Sequence, residues 1–533
     1  MSIPYLKDCN GKKLLVVQGK PFIMLAGEVH NSNSSSLEYM EGVWEQAEAL
    51  GMNSLLVPVT WEMIEPEEGE FDFSVVDGLM EQAKREKKKL GILWFGSWKN
   101  AECRYVPAWV KKDLKRFPRA QIVKGENQTR LEFRDNRPYT TLSYLYETTR
   151  DADARAFGRL MAHIREVDSQ ENAVVTVQVE NETGILGAAR EHSDIADALF
   201  EGSVPEEFAA YMKAHTNTMT ENVRKEVETG KNRGTWKEVF GNVAEEIFSA
   251  YYISRFTEVV AAAGKREYPL PMTVNCWLDK NGEEAGRYPS GGPVSKMHEV
   301  WDFCAPSIDV YCPDIYVPNF CEVCEEFVRR NRPLYIPECA THSYAGARQV
   351  YTIGHFHAVC YAPFGFEDMG KPMTAHQGYL FGMDVTDPAL NVSQNIEEYA
   401  WYTKTLREMM PLLTEKYGTE NLQAISSECG ASEMVFDSVG IKANFVNPEL
   451  TMQNGVCMAL KTGEEEFYLL ANHCSLSFFS AASNQPNIDI LLMEEGRFEN
   501  ESWRPGRRLN GDETVFMQYD RPVLLRVQLF VYS

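Results

Sequence analysis

Eight short apolar runs, each followed by polar or aromatic residues, recur through about the first 370 positions and constrain the fold more than any other feature. In chain order they are PFIMLAGEVH, MNSLLVPVTWE, KLGILWFGSW, NAVVTVQVENE, LPMTVNCWLD, SIDVYCPDIY, RPLYIPECA and HFHAVCYAPFGFED. Strands that are apolar throughout are typical of parallel sheets buried on both faces. Segments with helical spacing separate the first three runs, at 37–50 and 75–88, and longer helical stretches at 150–167 and 205–264 flank the fourth. The pattern predicts an α/β fold, a closed (β/α)8 TIM barrel.

An open, doubly wound sheet is the alternative architecture for strands that alternate with helices. A dinucleotide site in such a sheet would carry GxGxxG after an early strand, and no early run is followed by this motif. The barrel is therefore the favoured fold.

The pattern changes after the segment NIEEYAWYTKTLREMMPLLTEKYG, which we expect to form a last helix ending at Gly418. Beyond it, strand-like pieces such as EEFYLLANH and RPVLLRVQLFVYS are divided by turn residues. We expect a barrel domain at residues 1–418 and a small all-β, sandwich-like domain at residues 419–533.

Net charge and the composition of individual segments limit the classes of binding partner and the cellular compartments that we expect. The chain has 53 Lys and Arg against 77 Asp and Glu, a formal charge of −24, which repels nucleic acid and anionic membranes. No secretory signal or transmembrane stretch is visible. Twelve cysteines, several in apolar runs, predict free thiols in a reducing compartment, and so a cytoplasmic protein.

Metal and cofactor motifs are weak in this sequence. Cys321 and Cys324 have metal-ligand spacing, but no second CxxC completes a zinc site, so we expect two thiols there. The chain has neither a GxxxxGK[ST] phosphate loop nor an HExxH helix. We expect no metal and no cofactor.

Two glutamates stand out, because each ends a buried strand. Glu182 closes the fourth run and Glu338 the seventh, and the active sites of TIM barrels lie at the carboxyl ends of the strands. Either residue alone could cap a helix or pair with an arginine. A pair on facing strands fits glycoside cleavage, in which one carboxyl group donates a proton and the other attacks carbon or activates water. A separation of about 5 to 5.5 Å favours attack, and about 6.5 to 9.5 Å leaves room for water.

The motif around the first glutamate resembles the acid/base strand of glycoside hydrolase family 35. It reads Gln178-Val-Glu-Asn-Glu182-Thr-Gly184, and the segments Gly51-Met-Asn53, Glu65-Pro66 and Gly69-Glu-Phe-Asp-Phe73 are similar to the second-strand region of that family. Trp94-Phe-Gly-Ser-Trp98-Lys-Asn100 is similar to its smaller, bacterial branch. The resemblance covers most of the first 420 residues.

The resemblance implies a retaining mechanism. Glu182 would be the general acid/base, Glu338 the nucleophile that forms a glycosyl-enzyme, and Asn181 the ligand of the sugar 2-hydroxyl. One departure concerns the second strand, where Pro58-Val-Thr-Trp-Glu62 replaces the Tyr-Val-Pro-Trp-Asn of better-known galactosidases in the family. That departure leaves the identity of the sugar open.

Further residues at strand ends are candidates for sugar contacts. Rings stack on the apolar face of a pyranose, and amides and carboxylates bind its hydroxyls. Any of the rings could instead belong to the core, the polar residues could cap loops, and Tyr316 could orient the nucleophile. The candidates are Trp61, Trp98, Trp277, Tyr316, Glu28, Asn31, Asn100 and Glu102.

The sequence thus predicts an exo-acting retaining β-glycosidase, with β-galactosidase as the leading specificity. Its substrate would be the terminal β-linked sugar of an oligosaccharide, and we expect a homo-oligomer. A β-glucosidase or a transglycosylase is the first alternative, since the same carboxylates would serve. A carbohydrate-binding protein on an inactive barrel is the second alternative, against which both carboxylates argue.

Overall fold

A computed structural model describes most of the chain. The described residues are 2–124, 130–131, 137–279, 282–329, 332–372, 374–375, 386, 396–448, 453–481 and 487–532. Among them, no helix is both long and apolar enough to cross a membrane.

Eight strands form one closed parallel barrel, as predicted from the eight apolar runs. Neighbours in the barrel are also neighbours in sequence, and the last strand closes on the first. We call them barrel strands one to eight: Met24–Glu28, Ser54–Thr60, Lys89–Phe95, Val174–Val179, Met272–Trp277, Val310–Ile315, Tyr335–Cys339 and Cys360–Pro363. Nearly every residue in them is buried, which explains why they are apolar throughout.

Helices follow the barrel strands, as expected for this fold. The two longest flank barrel strand four and pack against each other, and several shorter ones lie between strands four and five. The helices are Leu37–Ala49, Trp61–Ile64, Ser74–Arg85, Ala108–Lys112, Glu147–Asp168, Asp194–Glu201, Glu206–Ala214, Glu221–Thr229, Trp236–Phe240, Ala244–Glu267, His298–Cys304, Phe320–Phe327, Ala345–Tyr351, Ile396–Glu408, Met410–Lys416 and Asp512–Val515.

The chain divides into two compact units. The first comprises Met1–Tyr5, Asn31–Met40 and Leu56–Val317, with barrel strands three to six and the helices around them. The second comprises Leu6–His30, Glu41–Leu55 and Pro318–Ser533, with barrel strands one, seven and eight and the carboxy-terminal strands. Three short amino-terminal strands, Tyr5–Cys9, Lys12–Val17 and Lys20–Phe22, precede barrel strand one.

The described residues of the carboxy-terminal part form mostly β-strands, as expected. The first of its two antiparallel sheets has the order Leu422–Ser426, Val456–Lys461, Glu466–Asn472, Val523–Tyr532, Asn487–Glu499 and Ser502–Arg508. The second has the order Glu433–Phe436, Val439–Phe445, Cys474–Ser480 and Gln518–Tyr519. Buried side chains from both sheets, including Phe436 and Phe467, share one hydrophobic core, which is the arrangement of a sandwich. The boundary at residue 418 stays a prediction.

A disulfide corrects the expectation that the cysteines are free thiols. Cys321, in helix Phe320–Phe327, is bonded to Cys429, in the turn after the first carboxy-terminal strand. Cys324 remains a buried free thiol. The CxxC spacing does not indicate this pairing, because the partner of Cys321 is 108 residues away in sequence.

The disulfide should contribute to stability, because it restricts the unfolded chain across a long loop. The double variant Cys321→Ser/Cys429→Ser should have a free energy of unfolding lower by about 2 to 4 kcal/mol in chemical denaturation. Replacing Cys9, a partly exposed free thiol, by Ser should change it by less than about 0.5 kcal/mol. Equal stability of the double variant and wild type under non-reducing conditions would contradict this role.

Candidate active site

In the first unit, the main chain around Glu182 leaves barrel strand four in an uncommon conformation. Glu180 and Glu182 have φ values of 63° and 45°, in the left-handed region that residues other than glycine rarely adopt. The Glu182 N–H donates to Asn275 Oδ1 at 2.9 Å, and its carbonyl accepts from the Ala101 N–H at 3.0 Å. Glu182 is thus held from both sides, and only 6% of it is exposed. Strain of this kind clusters at functional sites.

Asn181 carries a buried side-chain amide with no hydrogen-bond partner in the part of the chain that the structure describes. It is fully buried, and neither Oδ1 nor Nδ2 has a partner among the described residues. An unpaired buried amide costs about 1 to 3 kcal/mol, so its retention points to a ligand that supplies the missing bonds.

An amide and a second acid support Glu182 and were not predicted. Asn275, in barrel strand five, also donates from Nδ2 to Asp314 Oδ2 at 2.7 Å. A carboxylate oxygen of Asp314, in barrel strand six, lies within 4.8 Å of one of Glu182. Carboxylate oxygens suit hard cations. The sequence signal was available, since Asn275 and Asp314 are polar residues within apolar runs.

In the second unit, Glu338 lies in barrel strand seven and is 6% exposed. The pairing with barrel strand eight shifts register between Ile336 and Cys339, so Glu338 sits at an irregularity of the sheet. Glu28, at the end of barrel strand one, is also buried. Both carboxyl groups act on the Cys339 thiol, and burial first, then these charges, raise its pKa to about 12. Glu28 and Glu338 thus both lie near the Cys339 thiol.

The segment after barrel strand seven carries a buried charged cluster. Arg348 donates from Nη1 to His342 Nε2 at 2.9 Å and from Nε to Glu428 Oε2 at 3.0 Å. Burial, with the Arg348 charge, lowers the pKa of His342 well below its usual range, so this imidazole is neutral. Glu428 adjoins the disulfide at Cys429, so the carboxy-terminal segment anchors the loop that follows Glu338.

The predicted contacts after barrel strand three lie beside the Glu182 segment. The Trp98 N–H donates to Glu180 Oε2 at 2.7 Å, and Ala101, bonded to Glu182, lies between Asn100 and Glu102. The Trp98 indole nitrogen and Asn100 Oδ1 are buried without partners among the described residues. Glu102 forms an ion pair with Arg104. Trp98, Asn100 and Glu102 thus stay candidates for sugar contacts.

The other predicted contacts are more scattered. Trp61 is fully buried and donates from its indole nitrogen to Glu65 Oε2 at 2.9 Å, a geometry that suits a core residue. Asn31 is partly exposed, with its Oδ1 buried and without a partner among the described residues. Trp277 ends barrel strand five and Tyr316 follows strand six, both partly exposed. Their roles stay predictions.

A further buried acid, Glu191, anchors the loop that continues from Glu182. Glu191 Oε2 accepts from Ser143 Oγ at 2.7 Å, and its N–H donates to the Tyr144 hydroxyl at 3.2 Å. Burial raises the pKa of Glu191 to about 7, against the lowering by its hydrogen bonds. This group therefore titrates near neutrality.

Residues 14–121, which include barrel strands one to three, match the family described as Glycosyl hydrolases family 35. This part of the chain is therefore similar to that family. Residues 401–519 match a second family, described as a domain of unknown function, DUF5597.

One curated relative is a beta-galactosidase of Xanthomonas manihotis. It is 29% identical to this chain over 187 residues, which are 34% of this chain and 27% of the relative. The chain therefore matches about a quarter of the length of that protein.

Similar solved structures are distant. A catalytic mutant of Gan42B, a GH42 beta-galactosidase from G. stearothermophilus, has a TM-score of 0.46 at 15% identity, covering 74% of this chain and 58% of that one. The exo-beta-1,4-mannosidase Op5Man5 from Opitutaceae bacterium strain TAV5 has a TM-score of 0.43 at 14% identity, covering 76% and 62%. A beta-galactosidase from Bacillus circulans sp. alkalophilus has a TM-score of 0.43 at 11% identity, covering 95% and 99%. These scores are too low to support a functional inference.

The raised pKa of Glu191 predicts a pH dependence of stability. The folded protein keeps this proton up to about pH 7, whereas an unfolded glutamate loses it near pH 4.3. Stability from this group is fully present below that lower value and is lost as the pH rises toward 7, by on the order of 3 kcal/mol. Denaturation from pH 4 to 8 should show a loss of stability that is larger in wild type than in Glu191→Gln by about this amount. Parallel curves would contradict it.

Proposed function

We propose that this chain is a retaining exo-β-glycosidase that acts on terminal β-galactosides. The observation that carries the proposal is the Asn181–Glu182 pair at the end of barrel strand four. It combines a fully buried amide without partners among the described residues with an acid whose main chain is fixed on both sides. The family 35 match of residues 14–121 supports the same chemistry, and the beta-galactosidase relative supports the choice of sugar.

Barrel topology supports the assignment of the second carboxylate. All eight strands are parallel, so their carboxyl ends open at one rim, and Glu338 belongs to barrel strand seven as Glu182 follows strand four. In the proposed reaction, Glu182 protonates the glycosidic oxygen while Glu338 attacks the anomeric carbon and forms a glycosyl-enzyme. Glu182 then deprotonates the water that releases the sugar, and the anomeric configuration is retained.

Asn181 is proposed to bind the sugar 2-hydroxyl. Hydrogen bonds to this hydroxyl strengthen as the oxocarbenium-like transition state forms, so they act on the rate more than on binding. Glu28, Asn31, Trp61, Trp98, Asn100, Glu102, Trp277 and Tyr316 are the proposed contacts to the rest of the substrate.

A cytoplasmic location and a homo-oligomeric state complete the proposal. The location rests on the predicted free thiols, and the Cys321–Cys429 disulfide weakens that support because disulfides are rare in reducing compartments. Fractionation and light scattering test these two points.

Kinetics of single carboxylate variants test the two main roles. With nitrophenyl β-galactoside, Glu182→Gln and Glu338→Gly should each lose at least about a thousandfold in kcat. Glu182→Gln lacks the base that deprotonates the attacking water, and Glu338→Gly lacks the attacking carboxylate. Azide or formate should restore activity to Glu338→Gly by attacking the anomeric carbon, and azide should leave a glycosyl azide of inverted configuration. Glu166→Gln, an exposed acid, serves as the matched control. Near-normal turnover by Glu338→Gly without added anion would reject the nucleophile assignment, and panels of other nitrophenyl sugars and alcohol acceptors test the specificity.

The role of Asn181 can be tested by removing its side-chain amide and the sugar 2-hydroxyl, first separately and then together. Asn181→Ala should lower kcat by about a hundredfold with little change in KM, comparable to the loss of one transition-state hydrogen bond. A 2-deoxy substrate should lose a similar factor with wild type and little more with the variant. Independent, multiplicative losses from the two deletions would show that Asn181 and the 2-hydroxyl do not interact.

A further inference from the structure

Two acids are buried together beneath the Asn181–Glu182 segment. Asp153, in helix Glu147–Asp168, and Glu180, directly before Asn181, are both fully buried, and their carboxyl groups lie close enough for a hydrogen bond. Among the described residues, no ion pair to a basic side chain is formed by either acid. Two carboxylates cannot both be ionised in such a place, because neither solvent nor a cation offsets the repulsion.

The donors around the pair identify which acid is ionised. Asp153 Oδ1 accepts from Trp94 Nε1 at 2.9 Å, and Oδ2 accepts from the Ser97 N–H at 2.8 Å and the Ser97 hydroxyl at 2.5 Å. Glu180 Oε2 accepts from the Trp98 N–H, whereas Oε1 receives no N–H or O–H from the described residues. Three donors therefore favour the anion on Asp153, and the free oxygen of Glu180 is the place for a proton.

We propose that Asp153 and Glu180 share one proton, Asp153 as the carboxylate and Glu180 as the acid, and that this hydrogen bond positions Asn181 and Glu182. The positioning role rests on the proposed function, whereas the shared proton does not. Burial raises the pKa of both acids, which agrees with a retained proton.

The pair joins the segments that follow barrel strands three and four. Asp153 and Glu180 together hold Ser97 and Trp98, while Gln178 Nε2 donates to the Glu180 carbonyl at 3.0 Å. The fit is tight, because a Cβ added at Gly96 would lie 2.7 Å from both Asp153 carboxylate oxygens. Glu180 directly precedes Asn181, so a shift of Glu180 would move the main chain of Asn181 as well. Displacements of about 1 Å in an active site can lower the rate by a hundredfold.

Two isosteric variants distinguish the protonated acid from the ionised one. In Glu180→Gln the amide N–H2 replaces the acid O–H as donor to Asp153, and the amide oxygen still accepts from Trp98. We expect kcat within about threefold of wild type. In Asp153→Asn an amide N–H2 replaces an oxygen that accepts two donors, so we expect kcat lower by about a hundredfold with little change in KM.

The pH dependence of unfolding tests the shared proton without any substrate. The folded protein keeps the proton of Glu180, whereas the unfolded chain releases it above about pH 4.3. The unfolding constant of wild type should therefore rise about tenfold more per pH unit than that of Glu180→Gln between pH 5 and 8. Glu191 titrates alike in both proteins. The Cys103 thiol lies near both acids, and burial raises its pKa far above this range, so it stays neutral.

Infrared spectroscopy at pH 9 tests for the shared proton directly and needs no substrate. A carbonyl stretch from a protonated carboxylic acid is expected, and it should be missing in Glu180→Gln. Three results would each overturn the proposal. They are the absence of such a band in wild type, an equal pH dependence of the unfolding constant in wild type and Glu180→Gln, and an equal kcat of Glu180→Gln and Asp153→Asn. Wild type without activity on any glycoside would reject the proposed function alone, because the band and the slopes would still report the shared proton.

Discussion

Closure of eight parallel strands is the constraint on which the rest of the structure depends. Closure leaves the barrel no free hydrogen-bonding edge and brings every strand to the same rim at its carboxyl end. Polar residues at these ends are therefore buried among one another and must find partners. Asn275 is such a partner, because its side chain forms hydrogen bonds with the Asp314 carboxylate and with the main-chain N–H of Glu182. Asn181, whose side-chain amide has no partner among the described residues, is an exception that points to a ligand.

The barrel and the all-β carboxy-terminal part could be predicted because burial leaves a direct record in the sequence. A parallel strand covered on both faces must be apolar throughout, so each of the eight runs marked its strand. Helix Leu37–Ala49 and helix Ser74–Arg85 followed from their apolar spacing. The predicted final helix is present as two, Ile396–Glu408 and Met410–Lys416, and Pro411 at the start of the second accounts for the break.

Tertiary proximity of residues distant in sequence could not be predicted. Asp153 looks like any polar residue of a long helix, and only the packing of that helix against the barrel buries it beside Glu180. Cys321 and Cys429 are separated by 108 residues, and no local pattern relates them. Glu182 and Glu338 were recognisable because each acid interrupts the end of an apolar strand.

The Arg348–Glu428 ion pair has a consequence for how such a protein can be divided. The guanidinium is 5% exposed, and its carboxylate partner comes from the carboxy-terminal strands, beside the cross-linked Cys429. A chain cut after Gly418 would lose that carboxylate, together with the strands Leu422–Ser426 and Val456–Lys461 that pack on the helix of Arg348. The guanidinium would then have no counter-ion next to the loop that follows Glu338. Barrel and sandwich are therefore not exchangeable modules, and recombination that pairs this barrel with a different partner domain would have to supply a new counter-ion for Arg348.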